Sequence, residues 1–126
     1  MRAAWHVYHD QLVSLLTAPI EERRRYIRDY KPPRERALRL RLLHMATGLP
    51  RGPLWRASEE AGRVFVEARR GGGVEARRAY DEAWPVFVEA WRVFVEANRD
   101  EIARLHAEQC PDCPWDGKTI FREPAS

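Results

Sequence analysis

The spacing of apolar residues predicts helices in the first part of the chain. In residues 3–17 they recur every three or four positions, at Trp5, Tyr8, Leu12 and Leu15, as on one face of an amphipathic helix. A second helix is expected to begin at Pro19 and to run to about Tyr30. Proline is favoured in a first helical turn, and the prolines at 32 and 33 would stop the helix.

Residues 37–43 fit two structures. Their leucines alternate with arginines, which places Leu38, Leu40 and Leu42 on one face of a strand. Leucine and arginine nonetheless both favour helices. The sequence therefore predicts either a helix here or a short two-stranded β element that pairs residues 38–42 with residues 118–121.

From Leu54 to Gln109 the pattern is helical, with one interruption at Gly71–Gly73. Three consecutive glycines inside a helix cost roughly 3 kcal/mol relative to alanines, so a turn is favoured over a continuous helix. The second arm of this hairpin is expected to run from Val74 to Gln109, about 54 Å at 1.5 Å per residue.

The second arm contains a seven-residue repeat. Residues 84–90 and residues 91–97 both place aromatic side chains at the first and fourth positions, namely Trp84, Phe87, Trp91 and Phe94. A helix that is apolar over most of its circumference must be buried. It is either the central helix of a single-chain bundle or, as we expect, the interface of a homo-oligomer joined along residues 84–97 through these four aromatic residues.

These patterns predict a mainly α fold, a helical bundle or hairpin with a long heptad-repeat helix. We expect a single domain, 1–126, with basic N-terminal helices in 1–47, the heptad-repeat hairpin in 54–109 and a cysteine-containing tail in 110–126. No stretch is apolar enough to span a membrane, and no secretory signal pattern is present, so a cytoplasmic location is expected.

Charge is unevenly distributed along the chain. The net charge is +3, but residues 1–57 contain 12 basic and 5 acidic side chains, whereas residues 58–126 contain 10 and 14. Such a split indicates that one half meets an anionic partner, or that the two halves meet each other.

Nine basic residues fall within residues 23–41, opposed only by Asp29 and Glu35. They are Arg23, Arg24, Arg25, Arg28, Lys31, Arg34, Arg36, Arg39 and Arg41. Tyr26 and Tyr30 lie among them and could stack on bases. This density of positive charge is typical of DNA or RNA binding. The alternatives are an acidic protein partner, the acidic second half of the chain, or a solvated face.

The two cysteines, Cys110 and Cys113, lie in the tail, and His106 lies one helical turn before Cys110. Two residues between thiolates allow both to reach one tetrahedral zinc ion, and His106 could supply a third ligand. The fourth would come from His6, His9, His44, a carboxylate or another copy of the chain. The other interpretations are a redox-active dithiol and two unliganded thiols.

A resemblance rests on three features of the sequence. Glu-Ala heptads with Phe or Tyr, the segment Ala-Leu-Arg-Leu-Arg-Leu-Leu and the closing Cys-Pro-Asp-Cys-Pro-Trp-Asp-Gly-Lys-Thr-Ile-Phe resemble small uncharacterised proteins of phages and other mobile elements. The likeness covers residues 37–43 and about 60–121. It implies a genomic context and no particular activity.

No arrangement of residues typical of catalysis is visible. The serines lack a nucleophile-elbow motif, and Gly71–Gly73 lacks the lysine of a phosphate-binding loop. We therefore expect a non-catalytic, oligomeric accessory protein that binds nucleic acid through its basic segment. The alternatives are a protein-binding inhibitor or adaptor that uses the same arginines, or a purely structural helical assembly.

Overall fold

The computed structural model describes residues 1–121. The fold is mainly α-helical, with a small antiparallel sheet, and it divides into two units. One unit contains Met1 and Leu49–Ala103, and the other contains Arg2–Gly48 and the chain from Arg104 onward. The elements in chain order are β1 (Ala3–Trp5), β2 (Val13–Leu15), α1 (Ile20–Tyr30), α2 (Pro33–Leu42), β3 (His44–Ala46), α3 (Pro53–Arg70), α4 (Gly73–Ala97) and α5 (Arg99–Gln109).

Helices α3 and α4 form a hairpin, which confirms the predicted turn at the three glycines. Gly73 has a φ of +85°, a conformation that side chains disfavour. At Gly71, a Cβ would come within 2.8 Å of the Cβ of Ala76. Two of the three glycines are thus needed for the sharp reversal between the helices.

The seam of the hairpin is aromatic. Phe65 of α3 packs on Tyr80, Trp84 and Phe87 of α4, with ring centroids 5.0–5.6 Å apart. Nearer the start of α3, Trp55 lies edge-on to Phe94 at 5.6 Å. Later residues of α3 thus meet earlier residues of α4, as in an antiparallel pair.

The long helix predicted from Val74 to Gln109 is interrupted, so that prediction was wrong in extent. Helix α4 ends at Ala97 and α5 begins at Arg99. At Asn98, both the backbone N–H and the side-chain Nδ2 donate to the carbonyl oxygen of Phe94, at 3.1 and 2.9 Å. Asn98 itself has a φ of −115° and a ψ of 23°, outside the helical range, so the helix is interrupted at this residue.

The predicted helix over residues 3–17 was also wrong. Strand β1 lies at the centre of the sheet, antiparallel to β2 on one side and to β3 on the other. Its residues are fully buried, and Ala4 shares an apolar core with Val7, Ile27 and Leu43. The molecule is therefore not a simple helical bundle.

The β element proposed for residues 38–42 is absent, because these residues belong to helix α2. Pro33 begins this helix, and Arg39 forms an ion pair with Glu35 one turn earlier, at 2.8 Å. Residues 118–121 contain no strand. Ile120 instead packs with Leu42 in a second apolar cluster.

None of the helices within residues 1–121 combines the length and apolar character needed to cross a membrane.

Candidate metal centre

His6 is held by unusual backbone geometry. It follows strand β1 directly and has a φ of +53°, in the left-handed region that few residues other than glycine adopt. Its N–H donates to the carbonyl oxygen of Leu12 at 3.0 Å, which closes the loop between β1 and β2. The side chain is 3% exposed, so the loop directs an imidazole into the interior of this unit.

His106 and Cys110 are placed by the end of helix α5. The N–H of Cys110 donates to the carbonyl oxygen of His106 at 2.8 Å, so the two side chains lie one helical turn apart. Asp112 then adopts a φ of +57°, and this turn returns the chain so that Cys113 approaches the same point. Helix end and turn together bring one imidazole and two thiols to one place.

The four side chains form one compact cluster. The candidate ligand atoms of His6, His106, Cys110 and Cys113 all lie within 4.8 Å of one another. Nε2 of His6 is 3.1 Å from Nε2 of His106 and 3.1 Å from Sγ of Cys113. A tetrahedral zinc ion with bonds of about 2.0 Å to nitrogen and 2.3 Å to sulfur separates its ligand atoms by roughly 3.3–3.8 Å. The cluster is close enough to bind a metal ion.

Aromatic rings enclose the cluster. The ring of His6 lies edge-on to that of His106, with centroids 5.1 Å apart, and 5.6 Å from that of Trp115. Trp5 lies 5.3 Å from His106 on centroids and donates from Nε1 to Oε1 of Gln109 at 2.9 Å. Such an apolar surround restricts water and strengthens any charge–charge attraction within the site.

Burial favours the neutral forms of His6, His106 and Cys110. Desolvation, with a contribution from His106, lowers the pKa of His6 to about 4. Desolvation also lowers the pKa of His106. Burial and a hydrogen bond with Cys113 raise the pKa of Cys110 to about 12. Neutral imidazoles can coordinate a cation directly, and a bound cation would favour the thiolate form of the cysteines.

The structure brings a fourth candidate ligand to the three that the sequence predicts. Cys110, Cys113 and His106 come together, and of the five candidates for the fourth ligand His6 is the one that joins them. Both ring nitrogens of His44 face backbone carbonyl oxygens, of Leu42 at 2.9 Å and of Gln109 at 2.6 Å. His9 is exposed and lies 3.4 Å from the Thr119 hydroxyl.

Several of the nine basic residues have structural partners. Arg39 is buried, pairs with Glu35 and stacks over the ring of Phe121. Arg23 donates to the carbonyl oxygen of Val7 at 2.8 Å and lies over the ring of Tyr26. Other contacts join Arg24 to the carboxylate of Glu21, Arg36 to the carbonyl oxygen of Lys31, and Lys31 to the ring of Tyr26.

The remaining four basic residues, Arg25, Arg28, Arg34 and Arg41, are exposed and form no hydrogen bond or ion pair within the described part of the chain. Tyr26 and Tyr30 lie on the same helix as Arg25 and Arg28, with their two ring centroids 5.1 Å apart, and are 43% and 74% exposed. Helix α1 therefore presents two partly exposed tyrosines, of which Tyr26 also contacts Arg23 and Lys31.

The four aromatic residues predicted at an oligomer interface differ in their surroundings. Phe87 and Phe94 are buried within the single chain, and Trp91 is half-buried against Trp55 and Phe94. Trp84 remains 45% exposed.

The fold and the cluster together define a mainly α-helical protein with a candidate metal centre of two histidines and two cysteines. Comparison with known protein families, with curated proteins and with solved structures finds no match.

Proposed function

We propose that the protein is a non-catalytic module stabilised by a zinc ion bound to His6, His106, Cys110 and Cys113. The observation that supports it is the convergence of four ligand atoms within 4.8 Å. Four protein ligands complete a tetrahedron and leave no open position for water or substrate, as in structural zinc sites. Mixed imidazole and thiolate ligands suit zinc better than magnesium or calcium, which prefer oxygen.

The test is metal analysis of the reduced protein after purification and dialysis. We expect one zinc per chain, and loss of at least nine-tenths of it in His6→Ala and in Cys113→Ser. His9→Gln is the matched control, because it removes an exposed imidazole from the same loop and should retain the metal. Zinc-free protein, or a His6→Ala variant that binds zinc as the unmodified chain does, would contradict the proposal.

A second function is favoured by the surface of α1. We propose that Tyr26 and Tyr30, with the exposed Arg25 and Arg28, bind single-stranded nucleic acid. Stacking of a base on an aromatic side chain contributes about 1–3 kcal/mol, and phosphates would pair with the free guanidinium groups. An acidic protein partner would need only the positive charge of the arginines. The exposed tyrosine pair therefore favours nucleic acid, because tyrosine rings can stack on bases.

This second proposal predicts a change in the salt dependence of binding. With Arg25 and Arg28 both replaced by alanine, the slope of log K against log salt for oligo-dT or oligo-U should fall by about 1.4, at roughly 0.7 per phosphate contact. Tyr30→Ala should weaken binding and leave the slope unchanged. The control replaces Arg77 and Arg78, two exposed arginines of helix α4. Absence of binding at low salt, or equal slopes in the two double variants, would count against it.

A further inference from the structure

One side of the α3–α4 hairpin carries a shallow groove made of small apolar residues. Helix α3 contributes Ala57, Ala61 and Val64, and helix α4 contributes Ala76, Ala79 and Val86. Val64 and Val86 are 52% and 60% exposed, and Ala57 and Ala79 are exposed as well. Among the described residues, none of the large aromatic residues between α3 and α4 lines the groove. Small side chains therefore form the floor of the groove.

The groove has the dimensions of a helix-binding surface. On α3 its lining extends from Ala57 to Ala68, which is about 16.5 Å at 1.5 Å per residue, or three turns. Because alanine occupies most floor positions, a third helix could pack closely against the hairpin. The distance between helix axes would be about 8 Å, the lower limit of the usual range. A narrow helix with small side chains on one face therefore fits this surface.

The rim of the groove is acidic. Glu60 and Glu67 border it on α3, and Glu75 and Glu82 border it on α4. Arg63 also lines it but lies 3.6 Å from Glu59 and 3.8 Å from Glu60. Neither Glu75 nor Glu82 has an ion pair among residues 1–121, and the two are seven positions apart, about 10.5 Å along the helix. Two carboxylates therefore remain available on one wall.

We propose that this groove binds a basic amphipathic helix of a partner protein. The occupant would present alanine-sized residues to the floor and two lysines or arginines, seven positions apart, to Glu75 and Glu82. A second copy of this chain is a poorer occupant, because a symmetric contact would place one acidic rim against another. The groove belongs to a different unit of the chain from the candidate metal centre and α1, so the inference does not depend on either proposed function.

The test uses two synthetic helical peptides of eighteen residues with the same alanine-rich face. One carries arginine seven positions apart on the flanks, and the other carries glutamate at those positions. Binding to the full chain is followed by fluorescence anisotropy at low salt. We expect only the basic peptide to bind. The double variant with Glu75→Gln and Glu82→Gln should weaken it about fivefold, the combined effect of two exposed ion pairs.

The matched control is the double variant Asp81→Asn with Glu96→Gln, which removes the same charge from α4 outside the groove and should change affinity less than twofold. Ala79→Leu, at an exposed position that tolerates the larger side chain, should reduce affinity at least tenfold by filling the floor. Equal binding of both peptides, or equal affinities of the two charge variants, would overturn the proposal. The proposal would also be overturned if the protein self-associates and Ala79→Leu abolishes this self-association. The occupant of the groove would then be a second copy of the chain.

Discussion

The buried imidazole of His6 should make the metal-free protein sensitive to mild acid. Burial lowers the pKa of His6 from 6.5 to about 4, so the unfolded chain binds this proton before the folded chain does. Stability is therefore fully present above about pH 6.5 and is lost as the pH falls towards 4. Between pH 7 and pH 4.5 this single group should remove about 2 kcal/mol from the free energy of unfolding.

The assay is urea denaturation in a metal chelator at pH 7.0, 5.5 and 4.5, followed by circular dichroism. His106 adds a change of the same sign, because its pKa is also lowered. The contribution of His6 is therefore the difference between the unmodified chain and His6→Gln. We expect His6→Gln to lose about 2 kcal/mol less than the unmodified protein over this range.

His9→Gln is the control, because it removes an exposed imidazole three residues away and should follow the unmodified protein. The reasoning would be refuted by equal pH dependence of the unmodified chain and His6→Gln. The carboxyl groups with lowered pKa values, of Glu59, Glu89 and Asp116, cancel in this comparison because all variants retain them.

Two further predictions concern the hairpin. Phe65→Ala should lower the free energy of unfolding by about 3–5 kcal/mol in thermal or urea melts. The reason is that Phe65 is 3% exposed and packs on three aromatic rings. A loss below about 1 kcal/mol would show that α3 and α4 do not pack as described. Homo-oligomer formation through residues 84–97 stays a prediction: light scattering at micromolar concentration should give at least twice the chain mass, and Trp84→Glu should restore a monomer. A strictly monomeric unmodified protein would end that idea.

The hairpin could be predicted because its signals are local. Apolar spacing within α3 and α4 and the glycines at 71–73 all act within a few residues, where helix and turn preferences are strongest. The break at Asn98 could not be predicted in the same way. The apolar pattern continues through it, and the interruption lies in the backbone angles of a single residue.

The sheet was missed because its strands are three residues long. So short a segment has no measurable alternation, and the apolar spacing of Trp5, Tyr8, Leu12 and Leu15 matches a helix by coincidence. What fixes the strand is pairing with partners distant in sequence, such as Trp5 with His44. Patterns within one window of sequence contain no information about such pairing.

The candidate metal site also has one part that the sequence predicts and one part that it does not. Three ligands lie within eight residues, so helix geometry and the two-residue spacing predict their convergence. His6 lies 100 residues away from His106 and carries no motif of its own. Its positive φ follows from loop closure by Leu12, which no local preference of histidine indicates.

The chain order of the candidate ligands explains what a metal would contribute. The unit that contains them is built from two segments, Arg2–Gly48 and the chain from Arg104, which the hairpin separates in sequence. Its strands are short and its apolar clusters are small. A small core supplies little stability beyond the entropy lost on folding. An ion that joins His6 to three ligands in the second segment would act as a cross-link across about 100 residues, where loop-closure entropy is large. The two histidines and two cysteines thus lie where a metal ion would join the two segments of this unit.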